Sequence, residues 1–147
     1  MLIYMVKLET GLASAGLGLH VLWVVYLASF YIALSRPISL ETGILLTVQP
    51  LMVGMFISGI PGFGLAGIAY ILSKRAAPKT VVIILIAQGI ILPLGMTYAS
   101  MLSGNINQDY KSSILLVTPQ IFLVAGFALI GLGVHLARLK PVKRKTM

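Results

Sequence analysis

The 147-residue chain has no cysteine, only three acidic residues and a single tryptophan. Without cysteine there is no disulfide, thiolate metal site, iron–sulfur cluster or palmitoyl anchor. The acids are Glu9, Glu41 and Asp109, each at the edge of an apolar run or in a short polar stretch between runs. Proton-coupled carriers and rotary-ring proteolipids depend on a carboxylate inside the membrane, so this placement argues against both. Charge of either sign is scarce: 10% of residues are charged against 59% hydrophobic, with a mean hydropathy of +1.02, far from the balance of a soluble domain.

Four long uncharged runs fill most of the chain: residues 10–35, 42–73, 80–108 and 112–137. Each exceeds the roughly 20 residues that cross about 30 Å of hydrocarbon at 1.5 Å per helical residue. The expected fold is an all-α integral membrane protein, a single membrane domain over 1–147 with transmembrane helices near 10–35, 42–72, 80–102 and 113–137. The connections are short, which predicts antiparallel neighbours in an up-down-up-down bundle. The first run is longer than a signal-peptide h-region and only Lys7 precedes it, so it reads as a retained span.

The formal net charge of +8 is distributed by side. Lys7, then Lys74, Arg75 and Lys79, then Arg138, Lys140, Lys143, Arg144 and Lys145 fall on one side of the membrane, with Arg36 and Lys111 on the other. The positive-inside rule then puts both termini in the cytoplasm, and the expected location is the cell membrane. These cations flank spans rather than cover a soluble face with interleaved aromatics, which argues against nucleic acid. In the basic tail, 138–147, the run RLKPVKRK attracts anionic lipid headgroups by about 1 kcal/mol per cation.

Two hairpins resemble one another: FYIALSRPISLETGILLTVQPLMVGMF and TYASMLSGNINQDYKSSILLVTPQIFLVAGF. In both, Tyr and Leu-Ser close one helix and Ile-Leu-Leu with Thr, Gln and Pro opens the next, as in a parallel repeat of hairpins 10–72 and 80–137. The second run is also too long. At helical rise Thr42 to Leu72 would reach about 46 Å, beyond what ordinary tilt absorbs. The sequence GIPGFG offers a break, because Pro61 lacks an N–H and its ring crowds the preceding turn, so a kink is expected over Ser58 to Gly62.

In the same segment Gly54, Ser58, Gly62 and Ala66 recur every four residues, a stripe of small side chains that lets another helix approach closely. Pro93 and Pro119 lie inside two further helices. Each proline frees a carbonyl one turn earlier, for which Thr47, Gln49, Gln88, Thr97, Thr118 and Gln120 are the expected local partners. His20 and His135 fall at different depths, too far apart to hold one iron; His20 reads as an interhelical hydrogen-bonding residue and His135 as an interfacial one. With Gln49, Gln88 and Gln120, His20 makes a set able to line a polar path or to link helices.

No nucleophile, base and orienting group can be assembled, and the glycine-rich stretches lack the Lys-Ser/Thr of a phosphate loop. Neither metal nor cofactor is expected. The chain therefore reads as a non-enzymatic structural or assembly subunit of a larger membrane complex, with other membrane subunits and the lipid bilayer as partners. The alternative is a small oligomeric channel or carrier for a neutral or weakly polar solute.

Overall fold

The computed structural model describes residues 2–35, 48–106 and 113–139, with the backbone alone for 2, 3, 5, 6 and 48–50. The elements in order are α1 (Leu2–Ser35), α2 (Val48–Gly54), a π-helical turn (Met55–Gly59), α3 (Ile60–Ser73), α4 (Lys79–Ser103) and α5 (Ser113–Arg138). No strand occurs among the described residues. Four stretches are long and apolar enough to cross a membrane: Lys7–Ser35, Leu51–Ser73, Lys79–Ser103 and Ser113–Arg138. They are consistent with a multi-pass membrane protein. The outward faces are as apolar as the core, with Phe56, Ile57, Leu94, Met101, Val124 and Phe127 all exposed. In water such continuous apolar surface would drive association; in lipid it matches its solvent.

Helix α1 is the longest element and starts at Leu2, well before the apolar run at Thr10. Its inward face follows helical spacing through Ala13, Gly16, His20, Trp23, Leu27 and Tyr31. The second span stays helical past Pro61. Gly54, Gly59 and Ile60 all keep right-handed helical dihedrals, and the irregularity is the widened turn Met55–Gly59. There the Ile60 N–H reaches back five residues to the Met55 carbonyl. Widening the turn ahead of Pro61 answers the two demands of the ring, a missing N–H at residue 61 and room over the preceding carbonyls. Residues 42–47, on which the excess length of this span depended, lie outside the described residues. Pro93 and Pro119 are carried inside α4 and α5 without such a turn.

Contacts between helices are set by small residues. Along α1, Tyr26 packs on Gly54, His20 on Gly62 and Gly16 beside Ala66, so positions climb one helix as they descend the other. Between α4 and α5, Gly89 lies against Ile130 and Gly126, while Gly133 lies against Ile86 and Val82. The link from α3 to α4 turns through Ala77, at φ 42, whose N–H closes onto the Ser73 carbonyl at 2.7 Å. This left-handed end to the helix costs about 1 kcal/mol in a residue other than glycine.

Candidate functional site

The interior polar groups converge on α1. Gln88, fully buried on α4, donates from Nε2 to the Ala13 carbonyl at 2.9 Å, and its Oε1 lies 3.0 Å from His20 Nδ1. The first bond fixes which end of the amide is which. Oε1 can only accept, so Nδ1 carries the imidazole proton and Nε2 is left with its lone pair. His20 stands near the midpoint of the Lys7–Ser35 span. Its ring meets Phe63 at 4.5 Å between centroids, and a Cβ on Gly62 would come within 2.6 Å of Nε2. Glycine at 62 is therefore what lets the α3 backbone lie flat against the imidazole.

One turn along the same face, Trp23 is fully buried and packs on Phe122 of α5 at 5.1 Å. Farther on, the hydroxyl of buried Tyr31 donates to the Leu115 carbonyl of α5. That carbonyl is the one Pro119 frees, since its helical donor would be the N–H of residue 119. The expected local partners do other things. The Thr118 hydroxyl bonds the Ile114 carbonyl and that of Thr97 bonds the Pro93 carbonyl, each a back-bond within its own helix. Gln120 is exposed on the outer surface.

At the start of α1, Glu9 is only 2% exposed and accepts a 3.3 Å hydrogen bond from Ser73 Oγ. Reading the acids as boundary residues missed this burial. The available signal was register: Glu9 lies four residues before Ala13 and eleven before His20, so it shares their inward face. It lies two residues past Lys7, at the end of the span rather than at its middle.

Of the polar set named from the sequence, His20 and Gln88 are brought together, Gln120 is turned away, and the Gln49 side chain lies outside the described residues. The small-residue stripe of Gly54, Ser58, Gly62 and Ala66 is buried along its whole length, with Ser58 Oγ bonded to the Gly54 carbonyl at 2.8 Å. His135 is exposed and sits 6.1 Å from the Tyr70 ring, over which Lys74 Nζ lies at 5.1 Å. Arg138 is exposed at the end of α5; Lys140, Lys143, Arg144 and Lys145 lie outside the described residues. Compared with protein-family models, curated proteins and solved structures, the chain matches none. Geometry alone carries the functional argument.

Proposed function

We propose that this protein is a non-catalytic subunit of a membrane complex, docking partner helices on the outer face of α1. The observation that carries this reading is a second set of small residues. The Gly54–Ala66 stripe is used up inside the bundle, but Gly11, Ser14, Ala15 and Gly18 form an exposed patch on α1. A side chain added at Gly11 or Gly18 would meet nothing within 4 Å. Small residues exposed to lipid give little packing to acyl chains and a close approach to another helix, which is where association in a bilayer finds its energy. In this reading the bundle runs up-down-up-down with both termini cytoplasmic, and the widened turn before Pro61 bends the second span. The exposed cations Lys7, Lys74, Arg75, Lys79 and Arg138, with the tail, then hold the cytoplasmic end to anionic headgroups of the cell membrane.

Native mass spectrometry of the tagged protein, extracted gently from its own membrane, tests this. Larger subunits should co-purify at a fixed ratio, and Gly18→Leu should release them while leaving the bundle folded. A partner-free monomer or homo-oligomer would overturn the assignment. The His20–Gln88 pair at mid-span supports a second reading, passage of a small polar solute. In that case Gln88→Leu would abolish flux into reconstituted vesicles.

A further inference from the structure

Two nitrogens at the centre of the bundle have no hydrogen-bond partner among the described residues, Nε2 of His20 and Nε1 of Trp23. Both side chains are fully buried. They are three residues apart on α1, neighbours on one helix surface. Their chemistry is opposite. The amide of Gln88, oriented by the Ala13 carbonyl, leaves His20 Nε2 as a bare acceptor, while the indole Nε1–H is a donor and nothing else. Buried polar groups are nearly always paired, so an unpaired acceptor and an unpaired donor three residues apart on one helix call for an explanation. The Gly59 carbonyl lies within hydrogen-bonding reach of the His20 ring, but it can only accept, so it could pair with a ring N–H and not with the lone pair that the Gln88 amide leaves on Nε2.

The surroundings are built from rings and bare backbone. His20, Phe63, Phe122 and Trp23 form a continuous aromatic wall, with successive centroids 4.5, 5.7 and 5.1 Å apart. Packed against them are Gly62 and Gly59, the latter in the π-helical turn, a feature that often marks functional positions. A Cβ at Gly59 would stand 3.0 Å from the Phe122 ring and 3.4 Å from the Trp23 indole. The groups facing His20 are Gln88 from α4 and Phe63 from α3, with Phe122 of α5 beyond. Among the described residues no charged side chain faces it, so an ion held here would be buried without a counter-charge.

We propose that His20 Nε2 and Trp23 Nε1 form an intramembrane binding site for one small neutral molecule that both donates and accepts a hydrogen bond, of the water or ammonia class. Its N–H or O–H donates to the imidazole lone pair, and its own lone pair accepts from the indole N–H. The site stands whether or not the protein is an assembly subunit. The test is nuclear magnetic resonance of the full chain in lipid nanodiscs, with nitrogen-15 in histidine and tryptophan and His135 assigned by substitution. The single tryptophan gives one indole signal.

With water as the occupant, the Trp23 indole proton cross-relaxes with solvent in ammonium-free buffer despite its burial, and His20 Nε2 resonates as a hydrogen-bonded acceptor. With ammonia, both resonances shift together and saturably on addition of ammonium chloride at alkaline pH, and sodium chloride has no effect. Resonances at unbonded positions that respond to neither would overturn the site. So would a folded H20F variant in which the indole response persists unchanged. Should H20F fail to fold, the wild-type spectra decide alone.

Discussion

The α4–α5 seam and the face that α1 presents to the other helices solve the same problem with different chemistry. Between α4 and α5 the contacts described are glycine against aliphatic side chain or backbone. On α1, Glu9 reaches Ser73, Ala13 and His20 reach Gln88, and Tyr31 reaches Leu115. Each interhelical side-chain hydrogen bond named here has α1 at one end. The difference teaches where a membrane protein can tolerate change. A glycine seam fails when volume is added, because backbone cannot yield, while a polar seam fails when a partner is removed, because lipid offers the orphan nothing.

The largest effect is expected at the glycine seam. A Cβ on Gly89 would lie 2.7 Å from the Ile130 nitrogen and 2.8 Å from the Gly126 carbonyl, both backbone atoms. Gly89→Ala must therefore part α4 from α5 and should cost about 3 kcal/mol of stability, measured by steric trapping in bicelles. The same substitution at Gly18, which has open space around it, should change stability by less than about 0.5 kcal/mol. Propensity alone would favour alanine at both positions, so an equal gain at the two would show that helix propensity, rather than the seam, sets the outcome.

On the polar side, Gln88→Leu strips His20 of its partner and should cost about 1.5 kcal/mol, above the usual worth of an interhelical hydrogen bond because a buried N–H is left unsatisfied. Combined with His20→Phe, the loss should be well short of additive, since the two side chains are one unit. Tyr31→Phe should cost about 1 kcal/mol by the same assay. Pro119→Ala returns an N–H donor to the Leu115 carbonyl, so in that background the Tyr31→Phe loss should shrink by more than half. An unchanged loss would mean that Tyr31 contributes through its ring and not through the carbonyl the proline frees.

How much of this could be read beforehand differs between the two seams. Four apolar runs are enough for four helices, because in lipid a chain must satisfy its backbone within each segment. The widened turn at Met55–Gly59 was not legible as such, the expectation being a kink over Ser58 to Gly62. Pro61 announced trouble, and the irregularity falls at Met55–Gly59 because the ring acts on the turn before it. Gly54, Ser58, Gly62 and Ala66 share a face by spacing alone, yet spacing does not say which helix fills that face. The hydrogen bonds were harder. Local reasoning assigned the freed carbonyls to nearby threonines and glutamines, whereas Leu115 is served by Tyr31, 84 residues away. Partners so distant in sequence are products of packing, which no local window contains.

Gln120 shows the same limit, and its substitution has the smallest expected effect. By composition it belonged with Gln88, a polar residue beside a proline in a long apolar helix. On α5, however, the inward positions are Leu115, Thr118, Pro119, Phe122 and Gly126. One residue beyond Pro119 is a rotation of about 100°, which turns Gln120 to the outer surface. It makes no hydrogen bond with another helix among the described residues, so Gln120→Leu removes nothing from the bundle and puts an apolar side chain where lipid is the solvent. Stability should hold within about 0.5 kcal/mol or rise slightly, against the 1.5 kcal/mol loss expected for Gln88→Leu. A loss of co-purifying subunits in folded Gln120→Leu would put α5 as well as α1 against a partner helix. Destabilisation as large as that of Gln88→Leu would instead mean that Gln120 has a partner inside the bundle, and the contrast between an outward and an inward glutamine would fall.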